Sequence, residues 1–353
     1  MKKLKHVLIA TGATGGHIFP AIVVANFLQK SDFQVTLIIS NPRIDLDLYG
    51  FEIHRIPSAP IIGKKSYLAI NSLKIFAGTL KSMPMMLRYK NDGVMIATGA
   101  YPSVPPLIAA KLTGMDFYLM EQNVVPGATV KMFASSAKAV FTSFPETRDY
   151  LDNARVIFTG NPVRKLKRYE NPKKFVGIPE NQKVVLVVGG SQGARSLAEK
   201  AIEASKILKD VFFFIQCGER NLGYFEKIGL VGDNYKVEPF MNDMGLMFSL
   251  ADVVVSRAGA GTIFEVMSFG IPLILVPLEI ARGHQIENAR SLVRRGAALM
   301  LRESTLTPRE LAREISRLLE EDELRNEMVN AQKNFAPANP EKKILQTILE
   351  DRN

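Results

Sequence analysis

The chain has 353 residues, a formal net charge of +10, 47% hydrophobic and 23% charged residues, one cysteine and no tryptophan. This length exceeds the size at which a single hydrophobic core stops growing, and the composition excludes a disordered chain, so two globular domains are expected. Because Cys217 is the single cysteine, an intramolecular disulfide is excluded, which favours a reducing compartment. The positive net charge indicates an acidic partner, and a membrane surface or a phosphorylated substrate is favoured over nucleic acid.

The first residues resemble the start of a signal peptide, because lysines precede an apolar run at residues 7–10. That run is too short for a signal peptide and ends in glycines, so we interpret it as a first strand. No stretch approaches the roughly 20 apolar residues needed to span a bilayer. Any membrane contact is therefore expected to be peripheral.

Short apolar runs alternate with helical patterns along the chain, which is typical of parallel sheets covered by helices. The first half contains seven predicted strands, at residues 6–10, 34–39, 52–56, 93–97, 117–120, 139–142 and 156–159. The second half contains six, at residues 184–188, 212–216, 235–238, 253–256, 273–276 and 298–301. The sequence thus predicts an α/β protein with two Rossmann-like domains.

Residues 61–90 combine apolar and basic side chains on one helical pattern. The stripe expected to face the core consists of Ile70, Leu73, Ala77, Leu80 and Leu87. A basic stripe consists of Lys74, Lys81 and Arg88, and the apolar residues left as additional surface are Leu68, Ile75, Met85 and Met86. With Lys64 and Lys65 nearby, this segment indicates either a surface that binds an anionic bilayer or an ordinary solvated basic face.

The domain boundary is expected near residues 159–164, because the polar stretch that follows has little to bury. We assign residues 1–163 to an amino-terminal domain and residues 164–337 to a carboxy-terminal domain. A proline-containing break precedes a last helix, and residues 338–353 are expected to pack back on the amino-terminal domain.

Glycine-rich turns follow predicted strands at three places, residues 11–17, 188–194 and 256–262. Glycines allow a ligand close to the backbone, and the free N–H groups of a helix start attract anions, so each turn is either a phosphate site or a tight structural turn. The recurrence favours phosphate. No turn is a P-loop or a full dinucleotide fingerprint, and the second strand lacks the acid that would bind a nicotinamide cofactor, which leaves hydride transfer as a secondary alternative.

Five motifs in order resemble the MurG family of bacterial cell-wall glycosyltransferases: residues 14–20, 121–123, 160–164, 189–194 and 285–289. The resemblance covers nearly the whole chain, with departures at Ala13 and Met120. It implies two domains facing a cleft, the GT-B type of fold. It also implies transfer of GlcNAc from UDP-GlcNAc to undecaprenyl-pyrophosphoryl-MurNAc-pentapeptide (lipid I), which gives lipid II with inversion at the anomeric carbon.

The resemblance also implies roles for individual residues. The expected donor-binding residues are Thr14, Gly15, Gly16, Asn123, Arg164, Ser191, Gln192, Met241, Ala260, Gly261, Thr262, Ile263, Phe264, Glu265 and Gln285. Ser191 and Gln192 are expected near the diphosphate, Met241 beside uracil and Gln285 at the sugar. No metal or cofactor is expected, because the D-x-D spelled by Asp45 and Asp47 is interpreted as a solvated loop pair.

His17 is the candidate general base, because imidazole titrates near working pH and an inverting transfer requires one base. Alternatively, His17 caps the turn or binds phosphate. Glu121 is the second catalytic candidate, and either Glu121 or Asn123 can instead position the acceptor or the sugar.

The expected partners are UDP-GlcNAc, lipid I, an anionic membrane surface and other cell-wall synthesis proteins, at the cytoplasmic face of the plasma membrane. Two alternative enzymes share the donor and fold: a UDP-GlcNAc 2-epimerase and another UDP-sugar-dependent glycolipid transferase. A non-catalytic nucleotide-sugar or membrane-binding protein is the third alternative.

Overall fold

The computed structural model describes residues 4–12, 14–40, 50–60, 68–190, 193–279 and 283–352. The chain divides into two compact units. Unit 1 comprises Met1–Arg164 together with Pro337–Asn353, and unit 2 comprises Lys165–Ala336.

Unit 1 contains a parallel sheet with strand order β3-β2-β1-β4-β5-β6-β7. Its strands are β1 (His6–Gly12), β2 (Gln34–Ser40), β3 (Glu52–Arg55), β4 (Gly93–Ala97), β5 (Phe117–Glu121), β6 (Val140–Thr142) and β7 (Val156–Phe158). Its helices are α1 (Gly15–Lys30), α2 (Leu68–Tyr89), α3 (Val104–Thr113), α4 (Ala128–Phe133) and α13 (Pro340–Glu350). Apolar clusters cover both faces of the sheet, which explains the uninterrupted apolar runs of its central strands.

Unit 2 contains a second sheet with strand order β10-β11-β9-β8-β12-β13-β14. Its strands are β8 (Lys183–Val188), β9 (Val211–Gln216), β10 (Val231–Gly232), β11 (Tyr235–Glu238), β12 (Val253–Ser256), β13 (Leu273–Leu275) and β14 (Leu299–Met300). Its helices are α5 (Pro172–Val176), α6 (Arg195–Ile207), α7 (Leu222–Ile228), α8 (Met244–Leu250), α9 (Ala260–Phe269), α10 (His284–Val293), α11 (Pro308–Glu320) and α12 (Asp322–Phe335).

The predicted fold class of two parallel α/β sheets is confirmed, with one addition. Strand β10 was not predicted, and it pairs antiparallel to β11 at the edge of the second sheet. Two residues are too few to give a hydrophobic period, and the pairing depends on the turn between the strands.

Among its parallel strands, each sheet has one point at which the strand order changes direction. In unit 1 this switch point lies between β1 and β4, and in unit 2 it lies between β8 and β12. In open α/β sheets, ligands bind outside the carboxyl ends of the strands at the switch point. The turns at 12–17 and 98–101 are therefore the expected site in unit 1, and those at 189–194 and 256–262 in unit 2.

The prediction for the buried face of α2 is wrong. Leu73, Leu80 and Leu87 are all more than half exposed, and Met86, expected at the surface, is fully buried. Ile70 and Ala77 of the same predicted core stripe are exposed too. Ile75 and Met85, which were also expected at the surface, are half-buried against the core. The side chain of Leu68 and residues Lys64 and Lys65 lie outside the described part of the chain.

Small residues explain why α2 packs through its other face. A Cβ atom on Gly78 would lie 2.1 Å from the carbonyl oxygen of Pro57 and 3.0 Å from the Pro105 side chain on α3. Such close approach is possible only for a residue without a side chain, and the neighbouring Thr79 and Ser82 are also buried. Hydrophobic spacing identifies candidate stripes on a helix, but the fit to a neighbouring helix selects between them.

The carboxy-terminal helix α13 returns to unit 1, where it packs against α1. The Asp351 carboxylate accepts hydrogen bonds from Tyr118 on β5, at 3.0 Å, and from Arg155, at 2.5 Å. Arg352 donates to the carbonyl oxygen of Gly93 at 2.6 Å. Burial and the Asp351 carboxylate both raise the pKa of Tyr118, so its hydroxyl remains a donor. The end of the chain is thereby joined to the sheet.

We predict that Asp351→Ala lowers the free energy of unfolding of unit 1 by about 1–3 kcal/mol, because the buried Tyr118 hydroxyl loses its acceptor. Urea unfolding followed by circular dichroism measures the change. Glu350→Ala is the matched control, since Glu350 is exposed and bonded only to Gln346 of the same helix among the described contacts. Equal stability of the two variants would contradict this role of Asp351.

Candidate functional site

The switch point of unit 1 is formed where β1 enters α1. Thr14, Gly15 and Gly16 form the start of α1, which has no capping side chain in the described structure. In this first turn, the His17 Nδ1 atom lies 2.7 Å from the carbonyl oxygen of Thr98, the residue directly after β4. A second hydrogen bond joins β1 to the start of α1: the Thr11 hydroxyl donates to the carbonyl oxygen of His17 at 3.1 Å. The residue after β4 thus orients the imidazole, and β1 fixes the backbone of the same histidine.

This hydrogen bond determines what the other ring nitrogen can do. A carbonyl oxygen can only accept, so the neutral imidazole carries its proton on Nδ1 and presents Nε2 as an acceptor. Burial lowers the pKa of His17, while the Thr98 carbonyl and the nearby Gln122 side chain oppose the decrease. His17 is therefore neutral at physiological pH, and its Nε2 atom can take a proton.

Glu121 is held differently from His17. The carboxylate is buried, and its two oxygens accept hydrogen bonds from the backbone N–H of Asn123 at 2.9 Å and of Gly127 at 2.8 Å. The Asn123 side chain also donates to it, at 3.4 Å. Burial raises the pKa of Glu121 to about 7, although these hydrogen bonds work in the opposite direction. In this arrangement Glu121 supports the loop between β5 and α4.

The raised pKa of Glu121 gives a prediction for stability against pH. When the pKa of an acid is higher in the folded than in the unfolded chain, the acid favours folding at pH values below its pKa in the unfolded chain. This contribution is lost as the pH rises through its pKa in the folded chain. The wild-type unfolding free energy should therefore fall by up to about 3 kcal/mol relative to Glu121→Gln between pH 4.5 and pH 8, since one pKa unit corresponds to about 1.4 kcal/mol.

Urea unfolding at several pH values measures this difference. Asp149→Asn, which removes an exposed carboxyl of the same unit, is the control and should follow the wild-type curve. If the Glu121→Gln and wild-type curves run parallel, the carboxyl does not titrate in this window.

In unit 2 the first glycine-rich turn connects β8 to α6. Gly193 has a φ of +73°, and a Cβ atom there would lie 2.1 Å from the carbonyl oxygen of Cys217, so this glycine is required for packing. At Gly190 a Cβ atom would meet nothing within 4 Å among the described atoms. Ser191 and Gln192, expected at the diphosphate, lie outside the described residues.

The second turn of unit 2 connects β12 to α9, and it is open to a ligand. Gly259 precedes the helix with no capping side chain, and Cβ atoms on Gly259 or Gly261 would meet nothing within 4 Å among the described atoms. Ala260, Gly261 and Thr262 form the first turn, in which only Ala260 is buried, and the next residues Ile263, Phe264 and Glu265 are all buried. Because free N–H groups and the helix dipole favour negative charge, this helix start suits a phosphate.

The remaining predicted residues lie at separate places. Arg164, the last residue of the first segment of unit 1, stacks on Phe19 of α1 with 4.4 Å from its guanidinium carbon to the ring centroid. Met241 is buried in unit 2 after β11. The Gln285 Oε1 atom on α10 accepts a hydrogen bond from the Leu278 backbone N–H at 2.9 Å, which fixes the loop after β13.

The structure also contains polar residues at these edges that the sequence did not single out. In unit 1 the carbonyl of Thr98 orients His17. In unit 2 the buried Asn288 side chain donates to the Ala258 carbonyl at 3.0 Å, and Arg257 is buried beside Glu303. The burial of Arg257 and its pairing with Glu303 follow from the order of strands in the sheet, and no local pattern in the sequence signals them.

Within the described ranges there is no group of three or more His, Cys, Asp or Glu residues arranged to hold a metal ion. Asp45 and Asp47 lie outside these ranges. None of the helices described is long and apolar enough to span a bilayer.

Known proteins match both units. The model of the glycosyltransferase family 28 N-terminal domain matches residues 7–142, and the model of its C-terminal domain matches residues 184–347. The UDP-N-acetylglucosamine--N-acetylmuramyl-(pentapeptide) pyrophosphoryl-undecaprenol N-acetylglucosamine transferase of Actinobacillus pleuropneumoniae serotype 5b is 34% identical, over 98% of this chain and 99% of that protein. The protein of the same name from Acetivibrio thermocellus is 32% identical, over 97% of both chains.

A solved structure gives the same result. The crystal structure of Acinetobacter baumannii MurG aligns with a TM-score of 0.76 and 29% identity, over 98% of this chain and 99% of that chain. Both domains, their order and their full length are shared with these relatives. The chain therefore belongs to glycosyltransferase family 28 and, within it, to the MurG family.

Proposed function

We propose that this protein transfers N-acetylglucosamine from UDP-GlcNAc to lipid I, undecaprenyl-pyrophosphoryl-MurNAc-pentapeptide, and so produces lipid II for peptidoglycan. The full-length relatives carry this activity in their names. The observation that carries the proposal is a helix start without a capping side chain at the switch point of each unit, at α1 and at α9. Both substrates contain a pyrophosphate, and such helix starts bind phosphate groups.

Unit 2 is the proposed donor domain. The open start of α9 receives the diphosphate together with Ser191 and Gln192 of the turn after β8. Glu265, Met241 and Gln285 are assigned to the ribose, the uracil and the sugar. Arg164 and residues Thr14, Gly15, Gly16 and Asn123 of unit 1 are also proposed as donor-binding residues.

His17 is the proposed general base. Its Nε2 atom takes the proton from the attacking acceptor hydroxyl while that oxygen bonds to the anomeric carbon of GlcNAc, and the bond from this carbon to the UDP phosphate oxygen breaks. A single displacement of this kind inverts the anomeric configuration. The Thr98 carbonyl keeps the proton on Nδ1, so Nε2 remains available. Glu121 is proposed to position the loop that carries Asn123, because both of its oxygens bond to that loop.

We predict that His17→Ala lowers kcat by about 10²–10⁴-fold, the range supplied by a general base, with little change in donor affinity. Incubation of purified protein with radiolabelled UDP-GlcNAc and a lipid I analogue measures transfer, and an arm with EDTA tests whether a divalent cation is needed. His6→Gln, at the opposite end of β1, is the control and should keep full activity.

Three results would contradict these assignments. Unchanged turnover of His17→Ala would exclude it as the base. Formation of an epimerised UDP-sugar without acceptor would indicate the epimerase instead. Binding of UDP-GlcNAc with no transfer to any acceptor would indicate a non-catalytic protein.

Lipid I is anchored in a bilayer, and α2 offers the surface that would meet it. Its exposed apolar stripe consists of Ile70, Leu73, Phe76, Leu80 and Leu87. The exposed basic residues Lys74, Lys81 and Arg88 run alongside it. Apolar side chains flanked by lysines suit a peripheral helix on an anionic bilayer, where each basic residue adds about 1 kcal/mol. We assign the protein to the cytoplasmic face of the plasma membrane on this basis.

We predict that Leu73→Ser with Leu80→Ser weakens binding to phosphatidylglycerol vesicles by at least about ten-fold, since burying each leucine is worth about 1.5–3 kcal/mol. Vesicle sedimentation measures binding. Phe175→Ser, which removes an equally exposed aromatic side chain of unit 2, is the control and should bind as wild type. Unaltered binding of the double variant would exclude the α2 stripe as the membrane surface.

A further inference from the structure

A partly buried ion pair lies beside the turn that precedes α9: the Arg257 side chain is buried and the Glu303 side chain is 18% exposed. The Arg257 guanidinium bonds to both carboxylate oxygens of Glu303, with Nη1 2.6 Å from Oε2 and Nη2 2.5 Å from Oε1. Nη1 also donates to the carbonyl oxygen of Val276 at the end of β13, at 3.1 Å, and the Arg257 backbone N–H donates to that of Val188 on β8, at 3.2 Å. Arg257 therefore ties the ends of three neighbouring strands together immediately before the open start of α9.

Glu303 extends the connection to the other turns. Its carboxylate is hydrogen-bonded by Ser196 in the first turn of α6, and Lys200, whose ammonium group lies 2.8 Å from the Ser196 hydroxyl, adds a favourable charge. The adjacent Ser304 hydroxyl donates to Glu279, in the loop after β13, at 3.0 Å. Burial works to raise the pKa of Glu303, but the hydrogen bond and charge of Arg257 outweigh it and lower the pKa, so the ion pair is charged at working pH.

We propose that Arg257 and Glu303 are positioning residues for the donor: their ion pair fixes the starts of α6 and α9 relative to each other, so that both helix starts face one diphosphate. The inference rests on the proposed function for the identity of the ligand, a nucleoside diphosphate. Neither side chain needs to contact that ligand. The pair acts through the backbone of the turns that it joins.

The energetics of buried ion pairs favour a geometric role over a stabilising one. The desolvation cost of two charges often equals or exceeds their attraction, so such a pair contributes little net stability. Its directional hydrogen bonds nevertheless define one arrangement of the groups they connect. An error of about 1 Å in the position of a binding group can reduce activity about 10²-fold.

Glu303→Gln is the decisive variant, because it keeps the positive charge of Arg257 and the shape of the side chain but loses the charged bidentate pair. We expect Glu303→Gln and Arg257→Lys each to raise the Kd for UDP, measured by calorimetry, and the KM for UDP-GlcNAc by at least about ten-fold, while kcat at saturating donor stays within about three-fold.

The matched control lies at the opposite end of the same strands. Lys183 at the start of β8 pairs with Asp252, before β12, at 3.0 Å, and Asp252 also accepts from the Val184 backbone N–H at 2.9 Å. Asp252→Asn should lower the melting temperature of unit 2 by at least as much as Glu303→Gln does, and should leave the Kd for UDP unchanged.

Amide hydrogen exchange of the ligand-free protein separates this inference from the proposed function. We expect Glu303→Gln to accelerate exchange at residues 194–200 and 257–263, and Asp252→Asn to leave both segments protected. A wild-type Kd for UDP in Glu303→Gln, or unchanged exchange in both segments, would overturn the positioning role. Failure of the wild-type protein to bind UDP at all would instead reject the donor assignment, and the exchange result would still decide whether the pair orders the two helix starts.

Discussion

Parallel hydrogen bonding between strands organises both units of this protein. It brings every strand-to-helix turn of a unit to the same edge of its sheet, with the helix N–H groups directed toward that edge. In both units the order of the parallel strands reverses once along the sheet, and the two turns on either side of this reversal diverge, which leaves their backbone open. The three glycine-rich turns lie at these reversals, and only small residues leave the helix starts uncovered.

Polar side chains beneath those edges control geometry. The carbonyl of Thr98 determines which nitrogen of His17 carries the proton, and the carboxylate of Glu121 holds the loop that carries Asn123. Glu121 thus has the burial and raised pKa typical of a catalytic acid, while its hydrogen bonds are those of a structural residue. The sequence made Glu121 a catalytic candidate through the 121–123 motif of the resemblance to the MurG family, and a motif does not distinguish the two roles.

Packing against α3 decides which face of α2 is buried and which face is exposed. Apolar residues occur around much of this helix, and the face with Gly78, Thr79 and Ser82 packs because it allows α3 to approach closely. The bulkier leucines then face outward beside the lysines. An exposed apolar stripe is costly in water unless it is covered, and this cost is the physical basis of the proposed bilayer-binding surface.

The amino-acid sequence was sufficient to predict the α/β class, the alternation of strands and helices, the glycine-rich turns and the family, because apolar periodicity and short motifs are local properties of the chain. It did not determine the buried face of α2, the edge strand β10 or the partners of His17, Glu121 and Arg257. Those depend on which residues distant in the chain become neighbours: Thr98 beside His17 and Glu303 beside Arg257 are brought together only by strand order. Contacts of this kind have no local signature, so the tertiary structure alone decided them.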